Sequence, residues 1–403
     1  VSSAGHRNAR IDALRFLFSL IIVLHHTRYL LGYEHAIFAG GSLAVEFFFF
    51  VSGYLMMASA EKRASRPAGP GTETAQGARM APGAETAQGA RTALGTETAP
   101  GTETALSKET ALGTETAQFL RRKIAGILPE FVTAWFVGFF FISAVRHYGP
   151  RAMAGLFVRD FFELTLVKMS GLFVGGFDGV IWYVSAMFLV MAVLYPLIRR
   201  FPDFFPKIGA PLTALFLLGY LCQTQGSPRD PAVWLGLCFK GIIRTAADLC
   251  IGIVCWQIAE KIRRTDWTMA GRILLTLLEP ACYLAAIWYM YTRLPSKQDY
   301  FFLMLFAAAV TLSFADVPGA ARAGGGRTGR VTSWLARYST ALYFSHLYYA
   351  TNLNRILPAD LGSAQRVAVY LACAMGTALG VMYFAAFLRA HKRGMIRAFV
   401  KSK

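Results

Sequence analysis

Residues 11–31 read IDALRFLFSLIIVLHHTRYLL. The run is long and apolar enough for a helix to cross a bilayer, for which about 20 residues suffice. Ionisable groups are costly in that setting and are therefore where chemistry is sought. At 100° per residue, the 11 positions from Arg15 to His26 bring the chain back to within about 20° of the same face, with a rise of roughly 16 Å. His25 stands about 80° away from Arg15. Asp12, Arg15, Ser19 and His26 thus form one polar stripe on an apolar helix. A small-residue cleavage site is missing, so the segment reads as a retained span and not a signal peptide.

Nine further apolar runs follow, at 42–59, 124–145, 180–198, 210–222, 233–258, 272–291, 300–315, 332–350 and 367–388. The reading is an all-α polytopic membrane protein of about ten transmembrane helices. Residues 153–174 carry Arg159, Asp160, Glu163 and Lys168 and suit an interfacial amphipathic helix better than a span. Composition agrees: of 403 residues 55% are hydrophobic and 16% charged, which excludes a soluble globular class. The net charge of +18 would fit nucleic acid or an anionic membrane, and the apolar runs decide for membrane lipids and against nucleic acid. With an N-terminus in the cytosol, 27 Lys and Arg fall in cytosolic segments and 9 in outer ones. The positive-inside bias therefore places both termini in the cytosol.

Between the second and third spans, residues 71–118 divide into eight hexads, such as GTETAQ and SKETAL. A period of six matches neither helix nor strand, and large apolar residues are scarce, so the segment reads as a disordered or transiently helical cytosolic insertion. The expected divisions are 1–59 for the first two spans, 60–118 for the low-complexity insertion, 119–388 for the remaining spans and 389–403 for a basic tail. The six cysteines lie in or beside apolar runs without a CxxC pair. They support neither a disulfide framework nor a metal site.

Glu46 enters the second span about as far from the outer surface as His26 lies on the first. Antiparallel neighbours at equal depth would let the carboxylate orient the imidazole as a general base, unless the two form only a structural salt bridge. His346, and Trp182 with Tyr183, fall at the same level, where a polar substrate could meet them; packing or interface anchoring is the bland alternative. Towards the cytosol, Lys240, Arg244 and Asp248 recur every four residues on the sixth span, and Arg337 lies on the ninth. With Arg15, Arg121, Arg122 and Lys123 they could form a basic funnel for a phosphorylated ligand. Arg15 alone could equally snorkel to headgroups, and Arg244 could simply pair with Asp248.

These residues carry a resemblance to the acyltransferase 3 family of integral membrane acyltransferases. Its Arg-x10-His pattern is matched by Arg15 and His26, and its second-helix pattern by LAVEFFFFVSGYL, with Glu46, Phe48, Ser52 and Gly53. IWYVSAMFLVMAVLYP and YFSH, ending in His346, are similar to later motifs. The family's Arg-Arg-x-x-Arg-Ile-x-Pro signature is met by Arg122, Lys123 and Pro129, with Gly126 where the last arginine would stand. The resemblance implies an acyl-CoA-dependent O-acyltransferase in a bacterial cytoplasmic (inner) membrane, using acyl-CoA, most simply acetyl-CoA, and no metal. Its phosphates would rest on Arg15, Ser19, Arg121, Arg122, Lys123, Arg244 and Arg337, and its arm would follow the stripe to His26. The acceptor would be a hydroxyl of an extracytoplasmic glycan or lipid-linked sugar, deprotonated by His26 with Glu46, or attacked through a transient acyl-histidine. The competing class is a transporter or flippase of an anionic or lipid-linked substrate; against it, the spans show no inverted repeat.

Overall fold

Asn8 stands in extended backbone, and its side-chain oxygen accepts hydrogen bonds from the backbone N–H groups of Arg10 and Ile11. This cap starts α1 (Ala9–His25). The protein, seen in a computed structural model, is described over residues 8–32, 35–65, 100–172, 175–316 and 327–401, with side chains from 109 in the fourth helix, from 329 in the eleventh and to 391 in the last. After α1 come α2 (Arg28–Leu31), α3 (Ala44–Ala64), α4 (Pro100–Val145), α5 (Pro150–Asp160), α6 (Ile181–Arg200) and α7 (Ala210–Gln225). Then follow α8 (Lys240–Arg264), α9 (Met269–Thr292), α10 (Asp299–Ala315), α11 (Arg327–Ser345), α12 (Leu347–Asn352) and α13 (Ser363–Lys401). Among the described residues no strand forms, and the only β-type pairing is one bridge between Trp234 and Phe239.

The chain is an all-α polytopic membrane protein. A helix lies at every one of the ten expected spans, and eight of them are long and apolar enough to cross a bilayer. Of the other two, α10 is apolar but has 17 residues, and α11 carries Arg330 and Arg337. The region from 153 does not cross: α5 ends at Asp160 and gives way to two 3-10 turns.

Two of the boundaries that differ from the sequence reading bear on the site. The sixth span begins at Lys240, not Val233, because Pro231 and the left-handed backbone of Gly226, Asp230 and Gly236 hold the preceding stretch in turns. The third span has no break at its expected start. α4 runs continuously from Pro100, so the last hexads are helical, while the earlier ones up to 99 lie outside the described residues.

The tightest crossing is α3 on α8. A Cβ at Gly53 would stand 2.2 Å from the Leu249 carbonyl oxygen, and one at Gly252 would stand 2.4 Å from that of Phe50. Only glycine permits backbones this close, the small-residue device that membrane helices use to gain dispersion contacts. Both helices leave the crossing in the same direction, so whatever lies two turns before Gly53 faces whatever lies two turns before Gly252.

Candidate functional site

The C-terminus of α1 and the C-terminus of α11 meet at one end of the bundle. His346, just past α11, is completely buried, and its Nδ1 lies 2.8 Å from the Tyr343 carbonyl and 3.1 Å from that of Leu342. A carbonyl only accepts, so Nδ1 carries the proton and Nε2 of the neutral ring is an acceptor. That Nε2 lies 3.1 Å from Nδ1 of His26, which also lies 2.8 Å from the Ile22 carbonyl. Both partners of His26 Nδ1 are acceptors, so Nδ1–H donates and the lone pair sits on Nε2. No hydrogen bond holds that Nε2 among the described residues. The imidazole stacks on Tyr29 at 5.8 Å and 8°. Two histidines expected only at one depth are thus joined in a directed chain that leaves a base on His26.

The expected contact between Glu46 and His26 does not form. Glu46 sits in the first turn of α3, and Arg244 in the second turn of α8. They lie seven and eight residues before Gly53 and Gly252, so the glycine crossing sets them face to face. Nε of Arg244 donates to Glu46 Oε1 at 2.6 Å, Nη2 pairs with the same carboxylate, and Nη2 also donates to the Ser42 carbonyl at 3.1 Å. Asp248 lies 3.9 Å from Arg244 Nε. The guanidinium lies over the Trp182 ring, 5.4 Å from its centroid. Arg244 therefore belongs to the histidine end and not to a cytosolic funnel, a correction that follows from where α8 begins. Lys240 is buried at the same end.

Tyr183 lies in the first turn of α6. Its ring packs on Phe49 at 4.6 Å and Tyr343 at 5.7 Å. Arg15 is about a third exposed, lies 3.8 Å from Asp12, and interacts with the charge of Lys123. Ser19, in contrast, is buried and donates to the Ser339 carbonyl at 3.4 Å, a contact between α1 and α11 and not a lining residue.

The opposite end is basic. There α3 closes with Lys62 and Arg63, α6 with Arg199 and Arg200, and α8 with Lys261, Arg263 and Arg264. A cavity of about 270 Å³ is lined by Ser59, Lys62, Arg63, Phe119, Arg122, Lys123 and Tyr195. Four cations facing one cavity fit a polyanion such as a phosphorylated donor. Arg121 is exposed and does not line it, and Arg337 is exposed on α11 away from that lining. Lys62 and Arg63 escaped the sequence reading because they look like ordinary positive-inside residues. Gly126 is open, with nothing within 4 Å of an added Cβ, and Arg389 of α13 reaches its carbonyl at 3.2 Å and pairs with Glu130.

A second buried polar cluster lies in the segment before α6. Lys168 Nζ donates to Glu163 Oε1 at 2.7 Å and to the Asp178 carbonyl at 2.9 Å, and Trp135 Nε1 donates to Glu163 Oε2 at 3.1 Å. Burial, with the Glu163 carboxylate nearby, pushes Asp178 up to about 8. Among the described residues no three His, Cys, Asp or Glu side chains are grouped so as to hold a metal ion.

Compared with known proteins, residues 8–386 match the model of the family described as the acyltransferase domain, nearly the whole chain. No curated protein and no solved structure matches.

Proposed function

The chain belongs to the acyltransferase 3 family and is a membrane acyltransferase, and from that premise we propose that it moves an acetyl group from acyl-CoA to a hydroxyl of an extracytoplasmic glycan or lipid-linked sugar. The positive-inside bias assigns the basic end to the cytosol, and there the donor's phosphates would rest on Lys62, Arg63, Arg122 and Lys123. Its arm would run past Arg15 and Tyr183 towards His26, and the acceptor would arrive from the histidine end.

The observation that carries this reading is the free lone pair on His26 Nε2, fixed by the acceptors around Nδ1. In the proposed step Nε2 takes the proton of the acceptor hydroxyl, whose oxygen bonds to the thioester carbonyl carbon. The carbon–sulfur bond then breaks, and the thiolate recovers the proton from the imidazolium, so ester and free CoA leave with atoms balanced. His346 accepts from His26 Nδ1–H and so steadies the tautomer. Glu46 acts at a distance: by holding Arg244 on Trp182 it shapes the acceptor side and does not orient the base.

The test uses the whole protein in membranes or nanodiscs with radiolabelled acetyl-CoA and a surface glycan. The expected result is thiol release that depends on added glycan, with label appearing on the glycan. Movement of a lipid-linked sugar across the bilayer without thiol release would overturn the assignment in favour of transport.

A further inference from the structure

The hexad repeat reaches the basic cavity. Its last copy, GTETAQ at residues 113–118, lies within α4 and packs against the end of α6. Glu115 Oε1 accepts from the Tyr195 hydroxyl at 2.7 Å and from Arg199 Nε at 2.9 Å, and Oε2 accepts from Arg199 Nη2 at 3.3 Å. One copy earlier, Glu109 lies 3.5 Å from Arg200 Nη2. Arg199 also reaches the Ala60 carbonyl at 3.5 Å, tying the pair to the end of α3 just before Lys62 and Arg63. Tyr195 then stacks on Phe119 at 4.2 Å and 8°, and those two rings form one wall of the cavity. Glu115 does not face the cavity, yet it holds a wall residue and engages with both carboxylate oxygens the arginine next to it.

A helix turns 600° over six residues, so successive hexads are offset by about 120°, and Glu109 and Glu115 meet different arginines at the end of α6. Both copies meet α6 through a carboxylate paired with an arginine. Their effect on the cavity is therefore electrostatic. We propose that Glu115 sets the affinity of the cavity for the donor: it neutralises Arg199 beside the cavity and so lowers the hold on the donor's phosphates. The inference rests on the reading of that cavity as the donor site. A unit charge released about 10 Å from a bound anion changes its affinity severalfold in an intermediate dielectric, and the effect is screened by salt.

The test measures the acetyl-CoA KM and kcat of the full chain in nanodiscs at low and high salt. Glu115→Gln is expected to lower KM about three- to tenfold at low salt with kcat unchanged. The difference should close at 1 M salt, where the screening length is about 3 Å. Arg199→Gln should raise KM by a similar factor, reading the same couple from the other side if Glu115→Gln fails to fold. The double variant should return KM to within about twofold of the parent, which no loss of helix packing would do. A raised or unchanged KM in Glu115→Gln, or a double variant no nearer the parent than the single ones, overturns the proposal. Lys123→Ala separates the two layers. If it raises KM while Glu115→Gln is silent, only the proposal falls; if Lys123→Ala itself leaves KM unaltered, the donor site is elsewhere and both fall.

Discussion

His26 and His346 differ in what their removal takes away. Loss of a general base typically costs 10²- to 10⁴-fold in rate, so His26→Ala is expected to abolish most acetyl transfer from labelled acetyl-CoA with little change in donor KM. His346→Ala leaves the Ile22 carbonyl still holding His26 Nδ1–H, and a smaller fall in kcat, about tenfold, is the expected result in the same assay. Asp178 makes a separate prediction at this scale, for stability. Its folded pKa of about 8 lies above the ordinary 3.8, so between those values the folded protein holds a proton that the unfolded chain has lost. Stability therefore falls as pH rises through that window, by up to about 1.4 kcal/mol per pH unit, and is flat above it. Asp178→Asn should flatten the slope of detergent-solubilised melting temperature between pH 5 and 8; an unchanged slope would contradict the assignment. The polar stripe on α1 was legible in sequence because the helical period alone fixes it. The proton's place on His26 was not, since it depends on the Tyr343 and Ile22 carbonyls, which no side-chain pattern reports.

Among elements, α3 and α8 decide the most. The pairing of Glu46 with Arg244 follows from the glycine crossing, and its signal was present in the sequence: Gly53 and Gly252, each with a charged residue two turns earlier. It was missed because an apolar count starts the sixth span at Val233, which drops Arg244 deeper than it lies. Gly53→Leu is expected to abolish the folded population, judged by size-exclusion profile, since the new side chain would overlap backbone and not a flexible side-chain tip. Arg244→Met should cost roughly 3–5 kcal/mol by leaving buried carboxylates unpaired. Glu46→Gln keeps a hydrogen-bond acceptor for the guanidinium and should cost less. A melting-temperature series that reversed this order would sink the ion-pair account.

For the whole molecule, the ten-helix frame was readable from apolar run lengths, because a bilayer fixes the length of a helix that crosses it. The docking of the last hexads was not, because their low hydrophobicity predicts no burial, and what holds them is two ion pairs to α6. Under the proposed orientation the two ends should differ in their exposure to labels. A cysteine placed at Leu237, 89% exposed in the loop before α8, should react with an impermeant maleimide on intact cells. One placed at Ser65, just past α3, should react only after permeabilisation. The reverse pattern would invert the assigned orientation. Finally, consider the rise of roughly 16 Å between Arg15 and His26. Under the proposed function that spacing acts as a measuring rod: a donor anchored by phosphates at the basic end must carry its acyl carbon on a tether long enough to reach the base. Acetyl phosphate, whose acyl and phosphate groups are adjacent, cannot occupy both ends at once, so this protein should discard it however reactive it is, and metabolic acetyl groups would enter only on a long-armed carrier.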